Sequence, residues 1–244
     1  MKIACCLIFA ASVTALLRVS PAEPQTQAAE EGATLTGRVK IKGEIPKRRK
    51  IQTNADPKCA AMHPGDLMSD DYAIDPAGNV QYAIIYVKEG LDEQKFTPPK
   101  TPVVVEQKGC RFEPHAMGVM VGQELTFRNM DPDLMHIVHV VPKNNKEFGF
   151  SQVKRGEERP KIFTAKETIR LFCDVHPWME AWIMVLDHPL HATSGADGKF
   201  KLKGLPPGKY TIEAWHEKFK PVTQEIEVKA KESKTLDFTF TEKQ

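Results

Sequence analysis

After its first two dozen residues the sequence contains no long hydrophobic run and no helical period that is sustained over several turns. Without such a run there is no bilayer-spanning segment in that part, since a spanning helix needs about 20 apolar residues. The chain also has no excess of positive or negative charge, because without residues 1–22 it has 32 basic against 32 acidic side chains. That balance argues against nucleic-acid binding and long-range steering, so any docking surface must be a local patch.

The first residues have the pattern of a secretory signal. A short basic start precedes an apolar run from Ile3 to Leu17, and small residues follow it up to Ala22. We expect residues 1–22 to be removed on export and residues 23–32 to form a flexible leader, which places the protein in the periplasm or outside the cell. An uncleaved membrane anchor is the alternative, for which the run is short.

Cysteine is scarce in the exported part of the chain. Removal of the signal leaves Cys59, Cys110 and Cys173, which is an odd number for an oxidising compartment. The simplest interpretation pairs Cys59 with Cys110 in a disulfide and leaves Cys173 for a metal. His63 and His115 each follow one of the first two cysteines closely, so a second metal site is the alternative use of that region.

Most of the remaining sequence has the pattern of short β-strands. Alternating or β-branched segments recur between Gly, Pro, Asn and Asp residues, as in β-sandwiches and barrels. We therefore predict an all-β protein with at most one minor helix. The predicted units are an N-terminal β unit at 33–102, a second at 103–187 and a third at 188–244. Four short strands are few for an independent core, so the third unit should pack on the rest of the chain.

The most specific chemistry lies between two strand-like segments, in the string FCDVHPWM. It contains Cys173, His176 and Met179 in a Cys-x2-His-x2-Met arrangement. A tight loop can direct a thiolate, an imidazole and a thioether to one point, and a blue-copper site needs these donors and a second imidazole. His136 supplies the second imidazole at the start of the segment HIVHVV. His139 is its rival, but side chains three residues apart in a strand point to opposite faces, so only one of them can join the site.

Residues 103–186 resemble the cupredoxins, most closely the amicyanin and plastocyanin group. The resemblance rests on the short ligand loop, with Pro177 directly after its histidine, and on the upstream string NMDPDLMHIVH. Two positions depart from the group, because Ile137 replaces the usual Asn and Met135 stands where Pro is common. The change at Ile137 affects the surroundings of the metal more than its ligation. The resemblance implies a Greek-key β-sandwich that binds one type 1 copper ion through His136, Cys173, His176 and Met179.

The tail resembles the carboxypeptidase regulatory-like, transthyretin-like β-sandwich through the string DGKFKLKGLPPGKYTIEAWHE. This motif is structural in its family and implies no peptidase activity. The opening strands of that fold are not visible near the tail, so the resemblance is partial. The predicted architecture is a cupredoxin-like domain with an N-terminal β extension and a small C-terminal β-sandwich unit.

Four protein donors leave no position for a substrate, so the sequence predicts a carrier of single electrons and not an enzyme. Its expected partner is a redox protein such as a dehydrogenase, a cytochrome or an oxidase, and the electron is expected to leave through His176 at the loop tip. Two other functions stay open. One is a copper-binding or purely structural module of an extracytoplasmic assembly. The other, a copper enzyme, is weaker because the sequence has no His-x-His ligand pair.

Overall fold

The computed structural model describes residues 32–91 and 94–241, which form four β-sheets and one short α-helix. The predicted signal at 1–22 and almost all of the leader at 23–32 lie outside the described residues. The predicted all-β class and sandwich architecture are confirmed. Within the described part of the chain, no helix is long and apolar enough to cross a membrane.

Seventeen strands and one helix follow each other along the described chain. In order they are β1 (Ala33–Lys42), α1 (Pro57–Met62), β2 (Ile84–Glu89), β3 (Val103–Gln107), β4 (Phe112–Glu113), β5 (Ala116–Met120), β6 (Glu124–Asn129), β7 (His136–Val140), β8 (Phe148–Gln152), β9 (Glu158–Ile162), β10 (Glu167–Phe172), β11 (Glu180–Leu186), β12 (His191–Thr193), β13 (Lys199–Leu205), β14 (Gly208–Trp215), β15 (Val222–Val228), β16 (Ser233–Thr235) and β17 (Phe238–Thr241).

The strands pair in four sheets. In sheet I, β1 lies between β13 on one side and β16 and β17 on the other, and sheet II has the order β12-β2-β14-β15. Sheet III has the order β5-β11-β10-β7-β8, and sheet IV has the order β4-β3-β6-β9. Strands β3 to β11 therefore pair among themselves, whereas β1 and β2 pair with strands of the tail.

This pairing departs from the division into separate units at 33–102 and 188–244. The first strand, β1, pairs with β13 from Ala33 opposite Leu205 to Arg38 opposite Lys199, and β2 is paired with both β12 and β14. The strands of the tail are too few to close a two-sheet core, and β1 and β2 supply the opening strands that are not visible near the tail. The stretch from β3 to β11 is thus inserted between β2 and β12 of one sandwich.

The sheets are stacked in the order I, II, III, IV, with an apolar layer between each neighbouring pair. Sheet III is consequently covered on both faces. All five residues of β5, AMGVM, are therefore buried. A strand that is covered on both faces is typically a continuous apolar run. The middle layer, between sheets II and III, contains Ile84, Ala116, Met184 and Leu186, with Trp182 and Trp215 packed against them.

Sheets II and III approach each other closely. A Cβ atom at Gly118 on β5 would lie 2.4 Å from Nδ1 of His191 on β12, so only glycine fits there without movement. The rings of Trp182 and Trp215 meet edge to face with their centroids 5.7 Å apart. At one edge of this contact, buried His115 pairs with a carboxylate of the tail. Burial alone would lower the pKa of His115, but that carboxylate raises it above its ordinary value.

Candidate metal centre

The loop at 173–179 connects β10 to β11 and is closed by its own backbone. The amide of Cys173 donates to the carbonyl oxygen of Met179 at 3.1 Å, and the amide of Met179 donates to the carbonyl oxygen of His176 at 2.8 Å. Strand pairing continues up to Phe172 opposite Glu180, directly at the ends of the loop. These bonds hold three of the predicted ligands within one tight turn.

Three of the four predicted ligands meet at one point. His136 Nδ1 lies 3.0 Å from His176 Nδ1, which in turn lies 3.7 Å from Cys173 Sγ. Ligand atoms of these three residues all lie within 4.8 Å of one another, and the residues are 0%, 3% and 2% exposed. Met179 is 1% exposed and packs in the same apolar cluster as Cys173. The structure therefore assembles the thiol and both imidazoles, with Met179 buried at the end of the same loop.

The chemistry of these donors fits copper. A thiolate, two imidazoles and a thioether suit a type 1 copper ion, whereas Mg²⁺ and Ca²⁺ prefer oxygen ligands. Burial alone would raise the pKa of the Cys173 thiol, but hydrogen bonds with His176 and with backbone amides hold it below its ordinary value. One of these amides, that of Ile137, lies 3.4 Å from Sγ. These contacts therefore stabilise the thiolate, which is the form that binds metals.

Each imidazole is held by a carboxylate on the side away from the site. His136 Nε2 lies 2.8 Å from Asp131 Oδ2, and His176 Nε2 lies 3.2 Å from Asp56 Oδ2. When Nε2 donates its proton to a carboxylate, Nδ1 is the unprotonated nitrogen that can bind a metal. Burial alone would raise the pKa of both carboxyls, but bonds from the imidazoles and from backbone amides hold it below its ordinary value.

The predicted disulfide between Cys59 and Cys110 is confirmed, and it links the two carboxylates. Cys59 lies in α1, whose N-cap is Asp56, and Asp56 Oδ1 accepts the backbone amide of Cys59 at 3.2 Å. On the other side of the bridge, the amide of Cys110 donates to Asp131 Oδ2 at 2.9 Å. The disulfide therefore couples the positions of the two groups that orient the imidazoles.

The remaining candidate histidines lie elsewhere. His139 contacts Asp174 at 3.0 Å on the outer side of β7, so the first histidine of the strand is the inward one, as predicted. Nε2 of His63 is hydrogen-bonded to the carbonyl oxygen of Gly109 at 2.7 Å. Within the described residues, neither His63 nor His115 belongs to a cluster of metal-ligand atoms.

The surroundings of His176 differ from the expectation of an electron exit at a loop tip. Its imidazole is almost fully buried because Asp56 and the start of α1 cover Nε2. The ring of Trp178 lies beside it, with centroids 5.2 Å apart, and is fixed by a bond from Nε1 to the carbonyl oxygen of Cys110 at 3.1 Å. The exposed apolar side chains nearest to the ligands in sequence are instead those of residues 135 and 175.

A carboxypeptidase regulatory-like domain model matches residues 177–241, a region that begins in the ligand loop and runs through the tail. No curated protein matches the chain.

Several solved structures match parts of the chain. A copper-containing nitrite reductase from Thermus scotoductus is 25% identical, with a TM-score of 0.33, over 36% of this chain, and the chain spans only 25% of that protein's length. A purple cupredoxin from Nitrosopumilus maritimus is 18% identical, with a TM-score of 0.30, over 34% of this chain and 98% of its own. A mutant of amicyanin in the Cu(I) state is 22% identical, with a TM-score of 0.32, over 41% of this chain and 97% of its own. The chain thus combines a carboxypeptidase regulatory-like region with a part that is similar to cupredoxins.

Proposed function

We propose that this protein is an exported type 1 copper protein that carries single electrons and is not an enzyme. The observation that supports this most directly is the convergence of two imidazoles and one thiol, all within 4.8 Å, at a buried point. In this proposal His136, Cys173 and His176 would hold the ion, and the thioether of Met179 would be the fourth donor.

A bound copper ion would alternate between Cu(II) and Cu(I) and so take up or release one electron. The chain itself fixes the positions of the donors. Asp131 and Asp56 orient the imidazoles, and the amide of Ile137 donates to the sulfur. Because the donors are buried, water is excluded and no position stays open for a substrate, which supports electron transfer over catalysis.

The partner in this proposal is another redox protein in the periplasm or outside the cell, such as a dehydrogenase, a cytochrome or an oxidase. Met135 and Val175 are exposed and directly precede His136 and His176 in the chain. An apolar contact at these two side chains would bring a partner close to the ligands without opening the site.

A second candidate is a copper-binding module without rapid electron transfer, and the burial of His176 favours it. An imidazole covered by Asp56 and Trp178 has no exposed edge through which another protein could be contacted. The electron self-exchange rate of the copper-loaded protein separates the two candidates. Fast exchange supports the carrier, and very slow exchange supports the module.

Addition of Cu(II) to the purified protein tests the site itself. We expect strong visible absorption from thiolate-to-copper charge transfer, and we expect Cys173→Ser to abolish it. His136→Gln and His139→Gln form a matched pair, since the two histidines lie on opposite faces of one strand. The absorption should be lost or shifted in the first variant and unchanged in the second. A colourless wild-type protein with Cu(II) added would contradict the proposal.

A further inference from the structure

The outer face of sheet I carries a concentration of positive charge. In β1, β13 and β17 inward apolar residues alternate with outward polar ones, and strand pairing places the outward residues of neighbouring strands side by side. Six of the twelve outward residues are basic, the other six are Thr or Ser, and none is acidic. The outward residues are Lys199, Lys201 and Lys203 on β13, Thr34, Thr36, Arg38, Lys40 and Lys42 on β1, and Ser233, Thr235, Thr239 and Thr241 on β16 and β17.

Most of these cations have no acidic partner. Lys199 pairs with Asp197 at 2.7 Å, and Arg38 lies near enough to Asp75 and Asp197 to help lower the pKa of both carboxyls. The other four cations form no ion pair with any residue in 32–91 or 94–241. Lysines on an edge strand such as β13 can be explained as protection against the addition of another strand. That explanation does not apply to Arg38, which pairs with Lys199 of β13, or to Lys40, which pairs with Thr239 of β17 on one side and forms a bridge with Asn79 on the other. In a chain whose charges otherwise balance, this face is a local cationic patch.

We propose that this face binds the surface of a phospholipid bilayer that contains anionic lipids. Neighbouring strands are about 4.8 Å apart and successive outward residues about 7 Å apart along a strand, so the cations form a flat two-dimensional array. Such an array matches the headgroups of a bilayer, whereas a linear polyanion would meet only one row. The outward residues include no aromatic side chain for stacking on bases and no large apolar side chain for insertion. The binding is therefore electrostatic adsorption.

The stacking of the sheets gives this interaction a direction. The metal centre lies at the layer between sheets III and IV, and sheets pack about 10 Å apart, so the cationic face is about 25 Å from the metal centre. A protein adsorbed through sheet I presents the metal centre away from the lipid, where a partner can reach it.

Co-sedimentation of the exported protein, from which residues 1–22 have been removed, with vesicles tests the proposal. The vesicles are phosphatidylcholine alone or with about a third of phosphatidylglycerol. We expect binding only to the anionic vesicles and a loss of binding at high salt. Each cation near such a surface contributes a factor of about five, so Lys201→Gln with Lys203→Gln should weaken binding about 25-fold, and the corresponding Glu variant should weaken it further.

Lys154→Glu with Arg155→Glu is the matched control, because it changes the net charge equally at exposed positions outside sheet I. Equal loss of binding in this control and in the sheet I Glu variant would overturn the proposal, and so would equal binding to both kinds of vesicle. Tighter binding to a soluble anionic polysaccharide or to duplex DNA than to anionic vesicles would overturn the choice of a bilayer. Thermal unfolding of each variant shows that it is folded. Cys173→Ser should bind the vesicles as tightly as the wild type, because this proposal does not depend on the copper site.

Discussion

The carboxylate of Asp56 offers the sharpest test of how the metal centre is built. This side chain has two separable roles, because Oδ1 caps α1 and Oδ2 contacts His176 Nε2 at 3.2 Å. Asparagine is as good an N-cap as aspartate, so Asp56→Asn keeps α1 in place. With its oxygen at the cap, its NH2 group faces Nε2, so the charge beside the imidazole and the hydrogen bond from Nε2–H are both lost. Asp56→Ala removes both roles and should additionally cost about 1 kcal/mol of folding stability.

The size of the effect follows from the contact. A hydrogen bond to a charged group stabilises by about 1.5 to 3 kcal/mol, and the side chain of Asp56 is 29% exposed, which places the effect at the lower end. We therefore expect Asp56→Asn to lower the Cu(II) affinity about tenfold, at the lower end of the range for groups that support metal ligands. A negative charge favours Cu(II) over Cu(I), so its removal should raise the reduction potential. If the Cu(I) affinity is unchanged, a tenfold effect corresponds to about 60 mV for one electron.

Competitive copper titration and voltammetry measure these two quantities. Asp66→Asn is the matched control, because Asp66 lies in the same segment but contacts only Lys50 on the exposed surface. If Asp56→Asn and Asp66→Asn have the same affinity and potential as the wild type, the contact with His176 does not support the site and the reasoning is refuted.

Three further predictions concern the supports of the two sandwiches. Replacing Cys59 and Cys110 by Ser should cost about 4 kcal/mol of unfolding free energy on the chain-entropy model and should broaden the copper absorption; unchanged urea midpoints would contradict this. Burial lowers the pKa of His216 to about 4. The folding stability that this buried neutral imidazole contributes is therefore complete above pH 6.5, and up to about 3 kcal/mol of it is lost as the pH falls towards 4. His216→Phe should therefore flatten the acid side of the stability profile in denaturant titrations, and an unchanged profile would refute this assignment. Gly118→Ala should destabilise the protein by forcing the ring of His191 to move, which thermal unfolding against wild type would show.

The convergence of the candidate donors could be predicted from the sequence because their geometry is mostly local. Cys173, His176 and Met179 lie within seven residues on one turn between paired strands, so their spacing alone brings them together. The choice between the two histidines of β7 follows from the alternation of side chains along a strand, and the structure places His136 inward and His139 outward.

The supports of the ligands could not be predicted in the same way. Asp131 lies five residues before His136, inside the string that carries the resemblance, and its role could have been suspected from that position. Asp56 lies 120 residues before His176 and is recognisable only as the start of a helix, in the dipeptide Asp-Pro. Nothing local connects it with an imidazole on another loop. Long-range contacts of this kind depend on the disulfide and on the packing of the whole sandwich.

The pairing of β1 and β2 with strands of the tail could not be predicted for a related reason. A strand that alternates inward and outward residues shows that it has one buried face, but not which strand it pairs with. The pattern of β1 is equally compatible with a partner nearby and with β13, which lies more than 150 residues further on. Only the small number of strands in the tail indicated that strands from elsewhere were needed.

The insertion makes β11 a shared element of the two sandwiches. It starts directly after Met179, and its residues alternate between the two layers that cover sheet III. Ala181, Ile183 and Val185 belong to the core beside the metal centre, whereas Trp182, Met184 and Leu186 face sheet II. Rocking of one sandwich on the other would have to move a strand that is fixed in both cores. The region matched by the carboxypeptidase regulatory-like model, 177–241, likewise begins in the loop at 173–179 and continues through β11 into sheets I and II, so it includes strands of both sandwiches.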